Sequence, residues 1–188
     1  MKKLKRWMIL GMALLLLFCS AGTAEETGLI RTDFEDFTLQ TRDSLAFRGE
    51  KADGQPLFLF YPFTEGNMAM TAVNAVWSRR QEPMTPEEFT GMYRMSEDGI
   101  RAQYESGGML LKSFEVGDAA EREIWEMPAL VCDAELLVRI NDTDVSLVQR
   151  GLIVTGSFGS YLFSFSAWSP ELLEEATESL VRALHWKP

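Results

Sequence analysis

Few residues in this chain have the type and spacing that chemistry needs. The only histidine, His185, sits three residues from the end. It falls in the last turn of the terminal helix, where an imidazolium complements the helix dipole, so a capping or surface role outranks a general base. Cys132 follows Ala129-Leu130-Val131. That apolar setting describes a buried, inert thiol with no histidine nearby to activate it. Glu87 and Glu88, and the group Glu171, Glu174, Glu175 and Glu178, could supply paired carboxylates for acid–base work. Each falls in the first turns or on the polar face of a helical pattern, where a solvated face is the simpler reading. Ser157, Ser160, Ser164 and Ser166 have no nucleophile elbow around them. The glycines at 151, 156 and 159 do not form a phosphate-binding fingerprint. No catalytic residue is assigned.

Metal sites fare no better. There is no Cys/His pair at zinc spacing. Asn141-Asp142-Thr143-Asp144 could offer oxygens to a hard cation, but Val145, Leu147 and Val148 begin a strand where a calcium loop needs further ligands. A solvated turn is the reading. Met68 and Met70 share a strand face, with Met92, Met95 and Met109 elsewhere. Thioethers can hold Cu(I), yet without a Cys or His pair they read as core filler. No cofactor is expected. The aromatics are more suggestive. Phe58, Phe60, Tyr61, Phe63, Phe158, Tyr161, Phe163 and Phe165 exceed what one face of a small sheet must bury. The Phe158–Tyr161 tip is the part expected to be exposed, and Phe158 and Tyr161 are the candidate partner-binding residues.

The elements around these residues are legible. Residues 1–24 have the layout of a signal peptide: Lys2, Lys3, Lys5 and Arg6, then an uncharged apolar run from Trp7 to Phe18, then Ala21-Gly22-Thr23-Ala24. The run is short of the ~20 residues of a membrane span. Cleavage after Ala24 therefore ranks above an uncleaved anchor. It also ranks above a lipid anchor on Cys19, because Phe18 stands where a small residue is expected. The expected location is outside the cytoplasm (secreted, periplasmic or cell-surface), with no membrane span after cleavage. The remaining 164 residues hold 14 basic and 28 acidic side chains, a net charge of −14. Phosphate backbones would be repelled, so nucleic acid is excluded as a partner. Only Cys132 survives cleavage, so the fold has no internal disulfide.

Residues 25–43 read as an acidic, loosely structured lead-in, and 44–188 as one domain. Ser44–Arg48 and Pro56–Phe63 read as a hairpin closed at Asp53-Gly54, and Met68–Trp77 as a third strand. Thr85-Pro86-Glu87-Glu88 opens a helix with a capping box, running to Gly107-Gly108 and weakened at Gly99. Strands follow at Met109–Val116, Glu123–Met127, Val131–Ile140, Val145–Thr155 and Tyr161–Trp168, the last two paired antiparallel. Ser169-Pro170-Glu171 opens the C-terminal helix, with Leu172, Leu173, Ala176, Leu180, Ala183 and Leu184 as its apolar stripe. The fold class is α+β: an antiparallel sheet of about six to seven strands with a central and a C-terminal helix packed on it.

This order resembles the PsbP-like α/β sandwich, the fold named for an extrinsic subunit of photosystem II. The likeness rests on Thr85-Pro86-Glu87-Glu88-Phe89 opening the central helix after a strand. It rests also on Met127-Pro128-Ala129, where such proteins carry a Gly-x-Pro-Ala turn. The third element is the pair Leu152-Ile153-Val154 and Tyr161-Leu162-Phe163-Ser164-Phe165-Ser166-Ala167 ahead of a Leu- and Glu-rich helix. It spans residues 44 to 186. It departs at Glu126-Met127, where a glycine is expected. The resemblance implies a binding or assembly module and not an enzyme, as in many exported bacterial proteins, and it carries over no functional residue. The expected function is thus non-enzymatic binding to a protein or cell-envelope partner. A small-ligand or metal-binding protein is the alternative, and an enzyme of unknown type comes third.

Overall fold

A computed structural model describes residues 29–41, 46–60 and 72–188, with side chains left aside at a few strand and helix positions. Among the described residues the main sheet has eight strands: β3 (Ala46–Arg48), β4 (Pro56–Phe60), β5 (Ala72–Ser78), β6 (Leu110–Val116), β7 (Ala120–Ile124), β8 (Met127–Ile140), β9 (Thr143–Gly156) and β10 (Gly159–Ala167). Their order is β3-β4-β5-β10-β9-β8-β6, and β7 also pairs with β8. Every pairing is antiparallel. The long strand β8 serves two neighbours along one edge. Its first half pairs with β7 and its second half with β6.

Two-residue turns at Trp125-Glu126 and Asn141-Asp142 join β7 to β8 and β8 to β9. All four residues have positive φ, between 45° and 65°. That is the mirror-image turn whose twist matches paired strands. Asn and Asp adopt it readily, so the Asn141–Asp144 turn needs no bound ion to explain it. Trp125 is a poor residue for it, and the reason lies in the site described below. The β7–β8 turn also moves an expected boundary: Met127-Pro128-Ala129 begins a strand rather than forming a turn.

The sheet is sandwiched between helices. On one face lie α1 (Pro86–Arg94) and α2 (Glu97–Ser106), on the other α3 (Pro170–Ala183). The capping box at Thr85 forms as expected: Thr85 Oγ1 accepts from Glu88 N, and a Glu88 carboxylate oxygen accepts from Thr85 N. The single helix expected from residue 85 to 106 is instead two. Ser96 breaks it, its hydroxyl donating to the Tyr93 carbonyl at 2.6 Å and so competing for a helical acceptor. Gly99, expected as the weak point, lies inside α2. Period-2 alternation divides the core between the faces. Leu152, Val154, Tyr161, Phe163 and Phe165 pack toward α3; Leu130, Cys132, Leu136, Ile153 and Leu162 pack toward α1 and α2.

The stretch read as a loosely structured lead-in contains two strands, β1 (Ile30–Asp33) and β2 (Phe37–Thr41). With β11 (Leu184–Trp186) they form a second, three-stranded sheet, beside α3 in the same core. Phe37 and Leu39 are fully buried there. Burying each such side chain stabilises by about 1.5–3 kcal/mol, enough to order a segment whose Asp33 and Glu35 stay exposed. β11 also relocates His185. It is not in the last helical turn; it lies on a strand, opposite Thr38, with its side chain exposed. Among the described residues, no helix is long and apolar enough to cross a membrane.

Candidate functional site

A cleft of about 480 Å³ opens between the β7–β8 hairpin and α3. Two regular patterns build its walls. On β7, register places Ala120, Arg122 and Ile124 opposite Val131, Ala129 and Met127, so these three side chains share the face that looks toward α3. On α3, Glu174, Thr177, Glu178, Val181 and Arg182 recur at helical spacing and line the opposite wall. Val131, Asp133 and Arg150 form the floor.

Trp125 latches the far end. Its indole N–H donates to the Val181 carbonyl at 2.8 Å. Its ring packs against Phe163 and Trp186, with centroids 5.7 and 5.5 Å away. A bulky residue at φ 55° is strained, and such strain persists only where the surroundings over-determine it. Here the ring contacts and the helix carbonyl do so. The hairpin is thereby pinned to α3, and the cleft has a fixed width.

The charges in the cleft are mostly committed to each other. Arg150 projects from the central strand β9 with only 13% of its side chain exposed. It bonds both Asp133 oxygens at 2.8 Å and Glu174 at 2.6 Å. The hydrogen bonds to Asp133 lead the effects that hold its guanidinium well above the usual arginine range. Arg182 pairs with Glu178 at 3.2 Å, and Asp118 with Arg94 at 3.2 Å. Arg122 is the exception. Among the described residues it has no carboxylate partner, and its one hydrogen bond is a long 3.4 Å contact with the Glu121 carbonyl. The cleft thus combines apolar patches at Ala120, Ile124, Val131 and Val181 with paired charges and one guanidinium, Arg122, that has no carboxylate partner among the described residues.

The expected site residues lie elsewhere. The Phe158–Tyr161 tip is not exposed as expected. Tyr161 is only 3% exposed, and its hydroxyl donates to Asp36 at 2.6 Å. Phe158 is half-buried and stacks on Trp186, with centroids 4.3 Å apart and planes 2° from parallel. The missed β11 strand supplies that cover. Asp36 in turn holds Lys51 at 2.7 Å, and the Lys51 ammonium sits 4.5 Å above the Trp77 ring. This cluster clasps the small sheet to the large one.

Cys132 is fully buried, and burial pushes its thiol up to about 11. Met109 is buried, Met92 partly so, and Met95 is exposed; Met68 and Met70 lie outside the described residues. Tyr61 and Phe63 also lie outside them, as do the side chains of Phe58 and Phe60. Among the described residues, no group of three or more His, Cys, Asp or Glu is placed to hold a metal ion. Of the expected carboxylates, only Glu174 and Glu178 reach the cleft. Arg122 and Trp125 were missed, and so was Arg150. Its signal was present: it is a lone charge between Val145 and Thr155, in a strand apolar on both faces. A charge in such a strand requires a partner.

No family model and no curated protein matches the chain. Among solved structures it is similar to the solution structure of cyanobacterial PsbP (CyanoP) from Synechocystis. The two are 10% identical, the match covers 91% of this chain and 99% of that one, and the TM-score is 0.49. It is also similar to the crystal structure of LpqN, involved in cell envelope biogenesis of Mycobacterium tuberculosis. There the identity is 12%, the coverage 81% and 83%, and the TM-score 0.44.

Proposed function

We propose that this chain is an exported, non-catalytic binding module whose contact surface is the cleft between β7–β8 and α3. The export reading rests on the charged, apolar and small-residue segments of residues 1–24. The observation that carries the binding reading is the cleft itself: pinned by Trp125, lined in part by Ala120, Ile124, Val131 and Val181, with its carboxylates paired to arginines. A pre-formed cavity of about 480 Å³ falls within the 300–1,000 Å³ typical of ligand sites. That size favours a small molecule, or a narrow extremity of a larger envelope partner, over a flat protein–protein contact.

Site-directed photo-crosslinking in cells of the source organism tests this. A photoreactive residue at Ile124 or Arg182, both lining the cleft, is compared with one at the exposed Met95 near α1. An adduct formed from the cleft positions and absent from Met95 supports the reading. Equal labelling from all three, or no adduct from the cleft, overturns it.

A further inference from the structure

We infer that the cleft selects a small amphipathic carboxylate, with Arg122 as the group that receives it. This rests on the cleft being the binding surface, and it adds the chemistry of the occupant. Arg150 cannot play this part. Four of its five N–H groups are taken by Asp133, Glu174 and, at 3.4 Å, Thr177. Arg182 is paired with Glu178. Arg122 alone offers the planar fork of donors that matches a carboxylate in two parallel bonds.

Its neighbours say what the rest of the occupant is. On the same face of β7 sit Ala120 and Ile124, and Val131 and Val181 line the cleft with them. Glu121 and Glu123 alternate onto the other face of the strand and do not oppose an incoming anion there. Ala120, Ile124, Val131 and Val181 offer an apolar strip beside the paired charges of the floor and of α3, which suits an occupant with an apolar body and one anionic end. Asp118, Asp133, Glu174 and Glu178 share the cleft, but each is paired with Arg94, Arg150 or Arg182, so Arg122 is the unmatched charge an anion would meet there. A neutral or cationic head would leave Arg122 unmatched, and a cationic one would face it directly.

The test titrates the isotope-labelled protein with octanoate, octan-1-ol and octylamine, reading amide shifts along β7 and α3. Octanoate is expected to shift cleft amides at least tenfold more tightly than the alcohol, and the amine more weakly still. Arg122→Gln is expected to weaken octanoate at least tenfold and leave octan-1-ol unchanged. Arg122 is exposed, so the variant should keep the native circular dichroism spectrum. Octan-1-ol or octylamine binding at the cleft as tightly as octanoate would overturn the carboxylate while supporting the cleft. Octanoate failing to bind, or binding unchanged in Arg122→Gln, overturns it too. The crosslinking result judges the cleft separately.

Discussion

Removing either end of the Arg150–Asp133 pair should cost different amounts, and the difference follows from burial. Arg150 is 13% exposed at the side chain, Asp133 50% and Glu174 58%. Breaking a fully buried pair costs about 3–5 kcal/mol because a charge is stranded, while an exposed pair is worth about 0–1 kcal/mol. In Arg150→Met the groups left behind are the two half-exposed carboxylates. Water can reach both, and methionine refills the volume of the arginine stem. We expect a loss of about 1–2 kcal/mol, between those limits. In Asp133→Ala the stranded group is the buried guanidinium, left with Glu174 and a distant Thr177. That loss should be larger, about 2–3 kcal/mol. Urea unfolding followed by tryptophan fluorescence measures both, with unchanged m-values as the check that the two states are the same. Salt at 0.5 M should alter neither loss much, since the bonds lie at the floor of the cleft. Equal losses, or a greater loss in Arg150→Met, would refute the assignment of burial as the deciding factor.

Three further outcomes follow from the packing. A Cβ at Gly151 would stand 2.6 Å from Tyr93 Cε2 and 3.2 Å from Phe89 Cζ, and both rings are buried. Gly151→Ala should therefore cost about 1–3 kcal/mol through overpacking. Gly91→Ala on α1, where nothing lies within 4 Å, should gain up to about 1 kcal/mol from helix propensity; opposite signs in the two urea midpoints are the check. Trp125→Phe keeps a ring but loses the bond to the Val181 carbonyl. It should cost about 1–2 kcal/mol and speed hydrogen exchange at the β7 amides while leaving β9 and β10 protected. The alkaline limb should be steep. Burial raises Cys132 from 9.0 to about 11 and Tyr104 from 10.0 to about 12. It also raises Tyr93 and Tyr161, the latter further through its bond to Asp36. In each case the folded state keeps a proton that the unfolded chain gives up. Stability is thus intact below about pH 9 and falls as pH rises toward 12; a flat unfolding midpoint between pH 9 and 11 would contradict it.

The elements that were legible share one property: their signals are local. The capping box at Thr85, the turns at Asp53-Gly54 and Asn141-Asp142, and the alternation along β9 and β10 each depend on residues a few positions apart. The misreadings came where contacts are distant. The strand Phe37–Thr41 is too short and its segment too acidic to announce itself. It is ordered by pairing with β11, 145 positions later in the chain. His185 moved from helix to strand, and Phe158 and Tyr161 from tip to core, for that same reason. The cleft was hidden for a related one. Asp133, Arg150 and Glu174 come from β8, β9 and α3, and no spacing in the chain relates all three.

The sequence by itself determined the acidity of the chain, the two capped helix starts and the antiparallel class. Each is a matter of composition or short-range periodicity. Tertiary structure decided which charges meet, which aromatics are covered and which guanidinium remains free. Those depend on strand register and helix placement, where a shift of one residue sends every side chain on the strand to the opposite face.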